Sequence, residues 1–218
     1  MPVVVLWALM AMALAAVDLA LSAYLALVFH AYLRPGEGCR LLRQDLMLPG
    51  DLNWHAAVGM VVIRSPKTAK TGGRVHHVVL QDPTVLRLCR WAWGPLEPHQ
   101  PLVHFGVRQI EGWFRAVLPR LGLRPTAYTP AGLRAGGATF DYLSRGSTVE
   151  QLMWRGIWQT LTSLRHYVQE AAATMSVAQL PKDCQVRLHF LSRLLAAVLD
   201  ALTVSTSDGG ELDSFGCA

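Results

Sequence analysis

The sequence has 218 residues, of which 52% are apolar and 16% are charged, and its formal net charge is +5. This length and composition are typical of one folded domain and exclude a disordered or charge-rich linker. All but three of the 20 basic residues are Arg. Because Arg binds phosphate through a planar, bidentate group, this bias favours a nucleic-acid partner, although GC-rich coding also enriches Arg. The four cysteines are far apart, which argues against a zinc site or a disulfide framework and favours a reduced, intracellular compartment.

The first 33 residues are apolar, and Asp18 is the only formally charged residue among them. A hydropathy window therefore indicates a transmembrane helix. Two buried helices, at 3–16 and 18–32 with Asp18 as the N-cap of the second, are the alternative. No Lys or Arg precedes the apolar residues, which argues against a signal peptide. The motif HAYLRPGE follows directly and carries chemistry of its own, so we favour the buried helices and expect no membrane partner.

The remaining sequence predicts a mainly α domain with one small antiparallel sheet, an α+β fold. Residues 57–63 and 75–80 are rich in β-branched side chains, and the polar, glycine-bearing connection between them predicts a β-hairpin with a basic tip. A loop is predicted at 48–54. Helices are predicted at 38–45, from Asp82 to about residue 93, and at 104–121, 132–144, 148–155, 161–173 and 185–202.

Four residues further along the chain suit chemistry at a DNA phosphodiester. A tyrosine nucleophile has an ordinary pKa near ~10, and more negative charge builds on the phosphoryl oxygens in the transition state. Fixed arginines and neutral N–H donors are therefore the main catalytic device. The sequence offers Arg34 in AYLRPGE, Arg134 in PAGLRAGGAT, Trp158 in GIW and Tyr167 in LRHYVQ.

The order and spacing of these segments, over about residues 25–168, resemble the catalytic domain of the tyrosine recombinases, the phage integrase family. AYLRPGE resembles the first box of that family, which implies that Arg34 binds phosphate and that Glu37 is its supporting carboxylate. PAGLRAGGAT resembles the second box, which makes Arg134 the second phosphate-binding arginine. The same resemblance implies Trp158 as a further donor and Tyr167, on a helix, as the nucleophile.

The predicted hairpin resembles the family hairpin whose turn delivers a catalytic lysine to the site. The resemblance implies Lys67 as the general acid, with Lys70 as the second choice, because both lie at the tip and their spacing does not separate them.

The resemblance implies the fold of the DNA breaking–rejoining enzymes and an activity: DNA strand cleavage and rejoining, in site-specific recombination or integration, through a 3′-phosphotyrosyl intermediate. No metal and no cofactor are expected. Double-stranded DNA is the expected partner, which implies a location in the nucleus or nucleoid. We expect residues 1–204 to form the catalytic domain without the amino-terminal core-binding domain of the family, and residues 205–218 to form a flexible tail. The helix at 185–202 either links copies into a synaptic tetramer or covers its own core.

One position departs from the family pattern. The second box usually has a His three residues before its Arg, and Ala131 occupies that position. Loss of an acid–base partner typically lowers the rate by about 10²–10⁴-fold. His166, or His76 or His77 on the second strand, could replace it. The alternative to an active recombinase or integrase is thus a catalytically impaired DNA-binding relic of a mobile element.

Overall fold

The computed structural model describes residues 1–51, 57–64, 75–165, 167–168, 175 and 177–207, with side chains up to residue 201. The fold is mainly helical with a three-stranded antiparallel sheet, which confirms the predicted α+β class. The helices are α1 (Val3–Ala15), α2 (Leu19–His30), α3 (Pro35–Gly38), α4 (Pro83–Trp93), α5 (Val107–Val117), α6 (Ala131–Arg145), α7 (Val149–Gly156), α8 (Leu161–Arg165) and α9 (Lys182–Ser207). The strands are β1 (Leu46–Met47), β2 (Gly59–Ile63) and β3 (His76–Leu80).

The apolar amino-terminal segment forms two core helices. The chain turns between α1 and α2 at Val17, which has a positive φ of 60°. Asp18 then caps α2, because its carboxylate accepts a hydrogen bond from the backbone N–H of Leu21 at 2.9 Å. Helix α1 packs against α2 and α9, and α2 packs against α4 and α6. No helix within the described ranges is both long and apolar enough to cross a bilayer.

The predicted hairpin forms, and a third strand joins it. In β2 and β3, Val61 pairs with Val78 and Ile63 pairs with His76. Strand β1 pairs with β2 on its other side. The predicted loop at 48–54 follows β1, and its residues from 52 onward lie outside the described part of the chain.

The prediction of a helix at 38–45 is wrong. Helix α3 begins earlier, at Pro35, because proline suits the first turn of a helix and Glu37 caps the backbone N–H of Arg34 at 2.8 Å. It ends at Gly38, and a separate 3₁₀ turn at Arg43–Asp45 leads into β1.

The predicted boundaries of two later helices also need correction. Helix α8 ends at Arg165, and Tyr167 lies in the turn that follows rather than on a helix. The backbone N–H of Tyr167 donates to the carbonyl of Leu164 three residues earlier, which tightens this turn. At the other end of the domain, α9 continues to Ser207, three residues into the segment predicted as a tail.

Candidate functional site

Arg134 lies at the centre of the candidate site and joins two helix ends. It projects from the first turns of α6 and is only 6% exposed. Its terminal nitrogens donate to the backbone carbonyls of Tyr32, after α2, and of Gly156, at the end of α7. Both helices end in left-handed turns, with φ of 50° at Tyr32 and 55° at Ile157. Such helix ends leave carbonyls without intrahelical partners, and the guanidinium of Arg134 satisfies one at each end.

Two aromatic rings from the carboxy-terminal segments lie against Arg134. Its Cζ is 4.8 Å from the ring centroid of Trp158 and 5.5 Å from that of Tyr167. The two rings contact each other, with centroids 5.1 Å apart. A side chain at Gly156 would collide with the indole, since a Cβ there would come within 1.9 Å of Trp158. The glycine of GIW therefore gives Trp158 its place beside the arginine.

Two buried hydrogen-bond donors in this cluster have no acceptor. Nε of Arg134 and Nε1 of Trp158 are both inaccessible to solvent and make no hydrogen bond in the described part of the chain. An unsatisfied buried donor typically costs about 1–3 kcal/mol. Because neither nitrogen is accessible to solvent, an oxygen atom of a ligand could accept from them only if the surrounding side chains move apart.

Glu37 connects the two arginines that the sequence singled out. Its carboxylate is buried and accepts from Nη1 of Arg34 at 2.8 Å, while Nη1 of Arg134 lies 3.9 Å from its other oxygen. The Arg34 side chain keeps 35% of its surface exposed. Two guanidinium groups around one carboxylate carry one net positive charge, which matches the single negative charge of a phosphodiester.

The surroundings of Arg134 shift its pKa. Burial, and next the neighbouring Arg34, lower the pKa of Arg134 to about 10, and the charges of Glu37 and Tyr167 oppose this effect. Arg134 therefore remains a cation at neutral pH.

The sheet contributes one wall of a shallow groove over this cluster. Ile63, His76 and Val78 of the sheet line this groove together with Arg34, Glu37 and Arg134, and with Arg155 and Ile157 from the end of α7.

The structure thus brings together five of the seven predicted site residues: Arg34, Glu37, Arg134, Trp158 and Tyr167. Lys67 and Lys70 lie outside the described residues, as does His166. Ala131 is the first residue of α6 and is exposed.

The sequence predictions missed a second layer beneath the site. Asp141 of α6 is 1% exposed and accepts hydrogen bonds from the Tyr32 hydroxyl and, at 2.7 Å, from Nη1 of Arg155. Arg155 also donates to the carbonyl of His30 at 2.6 Å. Asp141 is seven residues after Arg134, and that spacing places both on one face of α6. Helical periodicity could therefore have indicated Asp141, but nothing in the sequence names its partners.

No group of three His, Cys, Asp or Glu side chains suited to a metal ion occurs in the ranges that the structure describes. In three comparisons with known proteins, the sequence matches no family model, no curated protein and no solved structure.

Proposed function

We propose that this chain is a tyrosine recombinase catalytic domain, with the DNA breaking–rejoining fold, and that it cleaves and rejoins DNA through a 3′-phosphotyrosyl intermediate. The observation that carries the proposal is the cluster around Arg134. Arg34, Trp158 and Tyr167 come from separate segments and surround one buried guanidinium, beside donors that lack an acceptor.

The proposed reaction assigns each residue a role. The Tyr167 hydroxyl oxygen attacks the phosphorus, so the O–P bond forms while the bond from phosphorus to the 5′ oxygen breaks. The hydroxyl proton leaves Tyr167, and Lys67 or Lys70 supplies a proton to the departing 5′ oxygen. Rejoining reverses these steps, when a 5′ hydroxyl attacks the phosphotyrosine and Tyr167 recovers its proton. The activity needs no external energy source, because the phosphodiester energy is kept in the intermediate.

Electrostatic stabilisation is the main contribution of the cluster to this reaction. The exposed part of Arg34 can meet a phosphoryl oxygen directly, while the buried Arg134 provides a fixed positive charge behind it. Charges and dipoles that are already oriented need no reorganisation as negative charge develops on the phosphoryl group. Removal of one such donor typically lowers the rate by about 10²–10³-fold.

A catalytically impaired DNA-binding relic is the second candidate. Ala131 favours it, because the side chain has neither a donor nor an acceptor at the position of the usual histidine. Such a relic would bind double-stranded DNA through the same basic groove and would form no covalent bond. Both candidates place the chain with DNA, in a nucleus or nucleoid.

A covalent trapping experiment tests the proposal without knowledge of the target sequence. A pool of nicked duplexes with a randomised centre is incubated with the protein, so that a short 5′-hydroxyl fragment diffuses away after cleavage and the adduct cannot be resealed. We expect a covalent protein–DNA band on a denaturing gel with the wild type and none with Tyr167→Phe. Tyr142→Phe is the matched control, because Tyr142 packs against the same small aromatic cluster.

The outcomes separate the two candidates. DNA binding without any adduct would refute the enzyme and support the relic. Absence of DNA binding would overturn both, and an adduct that persists in Tyr167→Phe would exclude Tyr167 as the nucleophile.

A further inference from the structure

The two adjacent histidines of β3 lie on opposite faces of the sheet. His76, Val78 and Leu80 alternate along the strand and face inward, and Val78 and Leu80 are buried. His77 and Val79 occupy the alternate positions and are exposed. Because successive strand residues point to opposite faces, only His76 faces the candidate site.

His76 shares the groove with the charged residues of the cluster. It lines the groove together with Arg34, Glu37 and Arg134. All three are close enough for their charges to act on its imidazole ring, as is the neighbouring His77. The imidazole therefore borders the same groove as the two arginines.

We propose that His76 is a phosphate-contacting residue of this site and supplies from β3 the imidazole that Ala131 cannot supply from α6. A ring N–H would donate to a phosphoryl oxygen, next to the guanidinium groups. The assignment deepens the proposed function and rests on it for the identity of the substrate. The phosphate contact itself requires only that DNA binds in this groove.

The charge of His76 makes this contact pH-dependent. Partial burial, with Arg34 and Arg134, lowers the pKa of His76 below its ordinary value, and Glu37 acts in the opposite direction. His76 is therefore neutral at pH 7.5 in the free protein. A bound phosphate favours the protonated ring, so the pKa rises in the complex and binding strengthens as the pH falls. A rise of about one pKa unit corresponds to about a tenfold gain in affinity.

Fluorescence anisotropy with a labelled 30-base-pair duplex of mixed sequence, between pH 7.5 and 5.5, tests the proposal. The wild type should gain several-fold in affinity over this range, below the tenfold limit of a one-unit rise, and His76→Gln should lose most of that gain. His77→Gln is the matched control, because it removes the same titratable group from the other face of the same strand. Equal melting temperatures of the three proteins at pH 7.5 establish that His76→Gln remains folded.

Parallel measurements with the nicked-duplex pool keep this inference distinct from the proposed function. A pH profile of His76→Gln that matches the wild type would overturn the role of His76, whether or not an adduct forms. A His76-dependent pH profile without any adduct would leave the phosphate contact in place and refute catalysis. Equal loss of pH dependence in His76→Gln and His77→Gln would also overturn the assignment, since it would show a general effect of charge.

Discussion

Arg34 and Arg134 carry the same guanidinium group but have different structural roles. Arg134 is buried and bonded to two backbone carbonyls, whereas Arg34 has an exposed edge and one carboxylate partner. A substitution at Arg134 leaves those carbonyls, and part of the buried charge on Glu37, without a partner. A substitution at Arg34 leaves the helix ends intact.

Loss of folding stability should therefore be larger on substitution of Arg134 than of Arg34. We expect Arg134→Gln to lower the free energy of unfolding by about 3–5 kcal/mol, the usual range for a broken buried ion pair. Arg34→Gln should cost about 1.5–3 kcal/mol, the scale of one hydrogen bond to a charged group. It should nevertheless remove about one phosphate contact from the complex with DNA. The slope of the logarithm of the binding constant against the logarithm of the salt concentration should therefore become shallower by ~0.9.

Urea denaturation and binding titrations at several salt concentrations measure the two effects. Arg108→Gln is the control, because Arg108 is exposed on α5. A stable Arg134→Gln protein would contradict the structural role of Arg134, and an unchanged salt slope in Arg34→Gln would contradict its contact with phosphate.

At the scale of elements, the small residues of α6 allow it to pack closely against α2. A Cβ at Gly137 would lie 1.9 Å from the backbone carbonyl oxygen of Phe29, a contact that no side-chain rotation relieves. The small residues of the run AGGA thus permit this close approach. Because α6 also carries Arg134, its separation from α2 would move the guanidinium away from the Tyr32 carbonyl.

We expect Gly137→Ala to destabilise the protein by more than about 2 kcal/mol, because α6 and α2 must separate or shift. Gly112→Ala on α5 is the matched control. A Cβ there meets no atom within 4 Å, so the usual helical preference for Ala should stabilise the protein by roughly 0.5–1 kcal/mol. Thermal denaturation of both variants checks the prediction. A Gly137→Ala protein as stable as the wild type would show that α6 and α2 are not in such close contact.

Helix α9 presents an exposed apolar stripe. Val186 is 68% exposed, Phe190 63% and Leu194 45%, at spacings that place them on one face. The opposite face of α9 packs on α1, so covering the core does not account for this stripe. A second copy of the chain, assembled on DNA, is the occupant that the proposed recombinase activity implies.

Phe190→Glu should abolish that self-association and leave the folded monomer intact. Exposed positions usually tolerate substitution within about 0.5 kcal/mol, so the free energy of unfolding should hardly change. Light scattering on protein–DNA complexes measures the number of copies. Arg193→Glu, which changes the charge by −2 about one turn along the helix against −1 for Phe190→Glu, tests whether negative charge alone explains the loss. Assembly that survives Phe190→Glu would exclude this stripe as the interface.

Helices with strong local signals could be predicted from the sequence. Asp18 and Asp82 both cap the helices that they were expected to begin, and the β-branched runs form the hairpin. Strand β1 has only two residues and is defined by its pairing with β2, so no local pattern indicates it. The end of α8 could not be predicted from a local pattern either. Apolar periodicity continues to residue 173, although the described helix stops at Arg165.

At the scale of the whole molecule, the candidate site depends on contacts between distant parts of the chain. Arg134 and Tyr32 are 102 residues apart in sequence, and the Tyr32–Asp141 hydrogen bond spans 109. Arg34, Glu37, Arg134, Trp158 and Tyr167, which the motifs singled out, lie near one another in the described part of the chain. The supporting roles of Asp141 and Arg155 were not predictable, because they follow from the packing of α6 and α7 against the end of α2.

The same packing buries His30 and makes the stability of the fold pH-dependent. His30 is 7% exposed, and its Nδ1 has no hydrogen-bond partner in the described part of the chain. Burial is the main reason that its pKa falls to about 4. The opposing charges of Asp82 and Asp141 raise the pKa, while Arg145 and Arg155 lower it.

The sign of the pH effect follows from which state binds the proton first. Between the ordinary pKa of about 6.5 and the folded value of about 4, the unfolded chain is protonated at His30 and the folded chain is not. Stability should therefore decline as the pH falls through this window, by roughly 2–3 kcal/mol in total. His76, whose pKa is also lowered, contributes in the same direction.

Urea denaturation at intervals from pH 7.5 to 4 measures this decline. His30→Gln should remove most of it, because Gln does not titrate, whereas His99→Gln, at an exposed position in the linker before α5, should leave it unchanged. A pH profile of His30→Gln that is parallel to the wild type would contradict this prediction, because it would mean that His30 is accessible to protons in the folded protein. The packing of α6 against α2 would then be looser than the short contacts at Gly137 require.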